Sequence, residues 1–159
     1  MQVTATINGE KRSFQAEPDE KLADALRRLG LTGVKKGCGE GTCGSCVVLL
    51  DGRAVNACLV FVPAIEGRQV VTIEGVGTTD APHPLQTAFV DAGAVQCGFC
   101  TPGMVLSAKA LLDREAEPTD EQIRAALDGN LCRCTGYVKV IEALKAAAAR
   151  LRAGREVQG

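Results

Sequence analysis

Gly37-Cys38-Gly39-Glu40-Gly41-Thr42-Cys43-Gly44-Ser45-Cys46 places three thiols and four glycines in ten residues. Glycine reaches positive φ and lets backbone approach closely, so such a chain can wrap tightly around a bound group. A thiolate-held metal cluster is anionic, and backbone N–H groups aimed at its sulfurs stabilise added charge. A merely flexible loop would not need three cysteines. The same stretch contains Gly39-Glu40-Gly41-Thr42-Cys43-Gly44, which has the G-x-G-x-x-G spacing of a dinucleotide loop. That motif requires a strand before it and a helix directly after it. Here the apolar run Val47-Val48-Leu49-Leu50 follows, and a thiol sits inside the turn. The chain itself is therefore expected to bind neither NAD nor FAD.

Outward from this loop, the eight cysteines fall at 38, 43, 46, 58, 97, 100, 132 and 134. The first four read C-x4-C-x2-C-x11-C and the second four C-x2-C-x31-C-x-C. Four thiolates close one [2Fe–2S] cluster, and the first spacing is that of plant-type [2Fe–2S] loops. Zinc more often takes tight C-x2-4-C knuckles, and for the second set spacing alone leaves zinc open. Disulfides would need an oxidising compartment. Inert buried thiols belong at apolar periodic positions, not beside glycines.

Composition narrows the function further. The chain has 159 residues, 46% hydrophobic and 23% charged, with a net charge of −1. Nine basic and nine acidic residues lie in 1–77, and nine and ten in 78–159, so neither half advertises a charged partner. Near-neutral charge and five aromatic residues argue against nucleic-acid binding. A single histidine removes most His-dependent catalysis. No apolar run approaches the roughly 18 residues of a membrane span. Met1-Gln2-Val3-Thr4-Ala5-Thr6 has no secretory character, so the cytoplasm is expected.

The chain reads as two halves. Residues 2–7 alternate as a half-buried strand, Asn8-Gly9 signals a two-residue hairpin, and 11–16 return. Asp19 is placed to cap a helix carrying Leu22, Ala25, Leu26 and Leu29, with Gly30 as its stop. Strands follow at 47–50, after the turn Asp51-Gly52, and at 70–73. This predicts a small α+β domain over 1–76. Residues 77–83 are of turn type, and His83 between two prolines reads as a surface residue of that linker. From 84 to 159 four helices are expected: from Pro84 to Gly93, after the capping pair Thr101-Pro102, after the capping box Thr119–Gln122, and a last one carrying Tyr137, Ile141, Leu144, Ala148 and Leu151. Short connections suggest a four-helix bundle. Lys145, Arg150 and Arg152 suit a helix C-terminus. Lys35 and Lys36 read as solvated lysines beside the first loop, and Arg133 as open to a partner.

Three blocks in this order resemble the small iron–sulfur subunit of the molybdenum hydroxylases, the xanthine dehydrogenase, aldehyde oxidoreductase and carbon monoxide dehydrogenase group. They are Gly37–Cys46 with Cys58, Gln96-Cys97-Gly98-Phe99-Cys100-Thr101-Pro102-Gly103-Met104, and Asn130-Leu131-Cys132-Arg133-Cys134-Thr135-Gly136-Tyr137. The resemblance spans about residues 2–152. It implies a plant-type ferredoxin-like β-grasp domain whose Cys38, Cys43, Cys46 and Cys58 hold one [2Fe–2S] cluster. It implies a helical domain whose Cys97, Cys100, Cys132 and Cys134 hold a second one. Gln96 and Cys134 occupy the family's positions near the molybdopterin. The molybdopterin belongs to a large partner subunit and FAD, where present, to a medium one, in a dimer of heterotrimers or heterodimers. This chain then transfers electrons and carries no catalytic acid, base or nucleophile. Two rivals are a free-standing two-cluster ferredoxin and a zinc-stabilised binding module. Purines, aldehydes, carbon monoxide, N-heterocycles and aromatic thioesters are all possible substrates of such an assembly.

Overall fold

In the computed structural model residues 1–157 are described, so the end of the expected 84–159 domain, at 158–159, lies outside the described residues. Five strands form one mixed sheet in the order β2-β1-β5-β3-β4. They are β1 (Gln2–Ile7), β2 (Glu10–Gln15), β3 (Val47–Leu50), β4 (Arg53–Asn56) and β5 (Gln69–Val71). The β1–β5 pair is parallel and the other three pairs are antiparallel. Both expected hairpins form. Asn8 and Gly9 have φ of 51° and 83°, Asp51 and Gly52 of 47° and 78°. Positive φ at both central residues is the primed turn that matches strand twist. Asp51 also accepts from the Gln69 N–H and from Arg68, which hold its carboxyl below the usual range and fasten β5 to the turn.

Helix α1 (Leu22–Arg28) lies on one face of the sheet, where Leu22 and Leu26 pack with Val3, Ile7, Val48, Leu50 and Val70. Asp19 is not its cap. Lys21 takes the N-cap position without a side-chain bond. The first N–H groups of the helix, those of Leu22 and Ala23, instead donate to the carbonyls of Val60 and Ala57, so main chain around Cys58 does the capping.

The remaining helices are α2 (Pro84–Asp91), α3 (Thr101–Leu112), α4 (Asp120–Leu127) and α5 (Val138–Val157). A second core joins Leu85, Phe89, Met104, Leu106, Ile123 and Leu144 with Val47 and Leu49. Helix α3 therefore packs on β3 and β4. This explains why Val47-Val48-Leu49-Leu50 is apolar without alternation: the strand is buried on both faces. Two boundaries move relative to the sequence reading. Thr101 is the first helical residue of α3, with Cys100 in the N-cap position. Tyr137 lies outside α5 and has a φ of 72°. Lys145, Arg150 and Arg152 pair with Asp120, Asp91 and Glu117 and so bind α5 to its neighbours instead of serving its C-terminus.

His83 is more than a linker residue. Its Nδ1 accepts from the Leu85 N–H, and Gln86 returns a bond to the His83 N–H, making a capping box for α2. The Thr119–Gln122 box on α4 forms as expected. Half-burial, and then Lys109, depresses the His83 pKa below 6.5. As pH falls the unfolded chain takes the proton first. The cap's contribution is therefore full above the unfolded value and is lost as pH drops through the folded one. Replacing His83→Ala should cost about 1 kcal/mol near neutral pH. Replacing His83→Asn should keep that stability and flatten the fall of Tm as pH drops below about 6.5. A slope equal to that of the unaltered chain in both variants would contradict the capping role.

Candidate metal centres

The first loop runs from the end of α1 to β3 and presents Cys38, Cys43 and Cys46, while Cys58 follows β4. The N–H groups of Glu40, Thr42 and Cys43 lie 3.4, 3.2 and 3.4 Å from the Cys38 sulfur. Those of Glu40 and Cys43 act most strongly and draw the thiol down to about 6. The Cys38 N–H in turn points at the Cys43 sulfur at 3.4 Å. Gly37 has to be glycine here, because a Cβ would stand 2.6 Å from that sulfur. At the closed side of the loop Cys46 is buried, and burial pushes its thiol up to about 11. Asn56 ties the loop to β4 by donating to the Gly41 carbonyl at 3.0 Å.

The second set comes from two helix junctions. Cys97 and Cys100 lie between α2 and α3, Cys132 and Cys134 between α4 and α5. The Cys97 and Cys134 sulfurs are 3.7 Å apart. That is close to the separation of two thiolates on one tetrahedral metal with bonds of about 2.3 Å. Burial opposes ionisation of Cys132, but the Thr135 hydroxyl and the N–H groups of Thr135 and Cys134 outweigh it and bring the thiol to about 7. Cys100 is pushed up to about 12 by burial.

Each tetrad thus divides into pairs: Cys38 with Cys43 and Cys46 with Cys58, then Cys97 with Cys134 and Cys100 with Cys132. Four thiols in two pairs suit a binuclear core, and the N–H groups directed at sulfur suit an anionic one. The donor set and the glycine-lined first cradle therefore fit a [2Fe–2S] group in each half.

The tetrads are neighbours. The Leu131 N–H, one residue before Cys132, donates to the Cys43 carbonyl at 2.9 Å. The buried Asn130 amide donates to the Gly44 carbonyl at 3.2 Å. A Cβ on Gly44 would meet the Gly129 carbonyl at 2.2 Å, and one on Gly103 would meet the Gly44 carbonyl at 2.2 Å. Cys38, Cys43, Cys97 and Cys134 line one cleft of about 250 Å³ together with Phe99 and Leu131. Gln96 and Cys134, remote in sequence, are in contact through a 3.2 Å bond from the Gln96 amide to the Cys134 carbonyl. Lys36 is engaged with Asp24. On sequence alone Asn130, Thr135 and Tyr137 have no part in the site, although all three stand in the quoted block. A polar residue at the end of an apolar-patterned helix, and a tyrosine directly after Thr-Gly, were the available signals. After metal removal by chelation, brief iodoacetamide treatment near pH 7 should label Cys38 and Cys132 ahead of Cys46 and Cys100, read by peptide mass spectrometry. Equal rates at all four would contradict the electrostatic asymmetry.

Comparison with known proteins agrees with this geometry. Residues 5–69 match the 2Fe-2S iron-sulfur cluster binding domain, and residues 72–145 match the [2Fe-2S] binding domain. The nicotinate dehydrogenase small FeS subunit of Eubacterium barkeri is 49% identical over 149 residues, 93% of this chain and 95% of that protein. The crystal structure of quinoline 2-oxidoreductase from Pseudomonas putida 86 aligns with a TM-score of 0.92 and 44% identity over 97% of both chains. Aldehyde oxidoreductase from Desulfovibrio gigas aligns with a TM-score of 0.94 and 45% identity over 97% of this chain, but this is only 17% of that much longer one. No helix among the described residues is long and apolar enough to cross a membrane. With two cluster-binding domains in tandem and near-complete coverage by a small FeS subunit, the chain belongs to the [2Fe–2S] iron–sulfur subunits of the molybdenum hydroxylases.

Proposed function

We propose that this chain is the electron conduit of a molybdenum-dependent oxidoreductase, with Cys38, Cys43, Cys46 and Cys58 holding one [2Fe–2S] cluster and Cys97, Cys100, Cys132 and Cys134 the other. The single observation that carries this reading is the junction at which the Leu131 N–H meets the Cys43 carbonyl. It joins a residue of one tetrad to the neighbour of a residue of the other through backbone and one hydrogen bond. Each cluster, when bound, accepts and returns one electron at a time. The protein's own residues fix the thiols, exclude solvent at Cys46 and Cys58, and aim N–H groups at sulfur.

Exposure supports the side on which the partner sits. Cys97, Cys134, Gln96 and Phe99 are all exposed around the helical tetrad, and Leu131 and Val138 stand 52% and 64% exposed nearby. Such an apolar, thiol-bearing face suits burial against a large molybdopterin-binding subunit, with Gln96 and Cys134 nearest the pterin. With both clusters bound, the chain would offer electrons a route from the helical-domain site to the ferredoxin-like site, and onward to FAD of a medium subunit or to an external acceptor. The domain division at 1–76, 77–83 and 84–159 is retained, with the second part read as a four-helix bundle and the first as a β-grasp. Helices α2 and α5, α3 and α4, and α4 and α5 pack in pairs, which supports the bundle. A dimer of heterotrimers or heterodimers in the cytoplasm completes the reading. Nicotinate dehydrogenase, quinoline oxidoreductase and aldehyde oxidoreductase relatives suggest an N-heterocycle or an aldehyde as the partner's substrate.

Native purification should yield a red-brown chain bound to a larger subunit, with about four irons per copy and two EPR signals on reduction. Replacing Cys58→Ser should remove or reshape one signal and spare the other. Loss of both to the same degree, or a colourless chain containing zinc, would overturn the assignment.

A further inference from the structure

Tyr137 is the only tyrosine in the chain, and it adopts a φ of 72° directly after Gly136 at 67°. A side chain in the left-handed region costs on the order of 1 kcal/mol or more. A second glycine would adopt that backbone freely, so what the position retains is the phenol. Its hydroxyl accepts from the Cys132 N–H at 2.8 Å and donates to the Asn130 carbonyl at 3.1 Å. The phenol thus closes the loop 130–137 on itself. Asn130 is 98% buried and its amide reaches the Gly44 carbonyl across the junction.

This arrangement sorts the N–H groups of the loop. Those of Cys134 and Thr135 point at the Cys132 sulfur, whereas the N–H of Cys132 itself is held by the phenol oxygen. An N–H directed at sulfur favours the reduced cluster, and one withheld does not. We propose that Tyr137 is a positioning residue that lowers the reduction potential of the helical-domain cluster by sequestering the Cys132 N–H, and that it sets how an electron divides between the two clusters. The proposal rests on Cys132 being a cluster ligand.

Removing the hydroxyl by Tyr137→Phe frees the Cys132 N–H to turn toward sulfur. The helical cluster should then become easier to reduce, changing the division of one electron between the clusters by up to about tenfold, which is about 59 mV for a one-electron couple. The test is an EPR-monitored redox titration of the full chain with its clusters in place. Because no other tyrosine is present, biosynthetic substitution by 3-fluorotyrosine alters this one phenol without removing it. A fluorinated phenol donates better and accepts worse, so the shift should be in the same direction and smaller. That variant decides the matter if Tyr137→Phe does not retain its cluster. An upward shift confined to one signal supports the role. Two intact signals with an unchanged or lowered potential, or equal shifts in both, overturn it while leaving the electron-transfer reading standing. Absence of [2Fe–2S] signals from the unaltered chain would instead defeat that underlying reading.

Discussion

Main-chain N–H groups that point at sulfur are the constraint from which most of this structure follows. A thiolate in a partly buried loop is costly unless donors meet it, and side chains that could do so are scarce here. Backbone has to supply them, and backbone can do so only where the chain turns back on itself within a few residues. Cys38 receives three N–H groups from the five residues that follow it. Cys132 receives two N–H groups and the Thr135 hydroxyl from the three that follow it. The two cradles differ in sequence and in surrounding architecture, yet they reach the same solution. In each tetrad one sulfur is cradled at the surface while another is held in an apolar setting, Cys46 in the first and Cys100 in the second.

Local chemistry was legible in the sequence, and its tertiary replacements were not. Asn8-Gly9 and Asp51-Gly52 are visible because a primed turn admits few residues, and Thr119 with Gln122 because a capping box is closed within four residues. The cysteine loops are visible for the same reason, since their donors lie within a few positions of the sulfur. Asp19 misled because the start of α1 is satisfied by carbonyls some 35 residues away, around Cys58. Tyr137 fitted the helical spacing of the last helix, but its hydroxyl is committed to Asn130 and Cys132, and this holds its backbone out of the helix. His83 looked like a linker residue because an imidazole seldom caps a helix, although its Nδ1 can accept as a carboxylate does. For Cys97, Cys100, Cys132 and Cys134 it was the resemblance that favoured a [2Fe–2S] cluster, where spacing alone left zinc open.

The separation of the two tetrads is set by packing as much as by the loops. Cys46 is the residue before β3, and Cys100 is the N-cap of α3. These two elements lie against one another, with Val47 and Leu49 of the strand in the same core as Met104 and Leu106 of the helix. A cysteine of each set therefore directly precedes an element fixed in a shared, close-packed interior. Gly44 and Gly103 then allow the two starting points to approach until backbone touches backbone. An electron moving between sites benefits from surroundings that do not have to rearrange, by the same logic that favours preorganised dipoles at a reacting centre. A strand buried on both faces and a helix that starts directly after a cysteine provide that rigidity in a chain of modest size. The apolar run Val47–Leu50, which on its own reads only as a strand, is what makes two small cores behave as one frame for two metal sites.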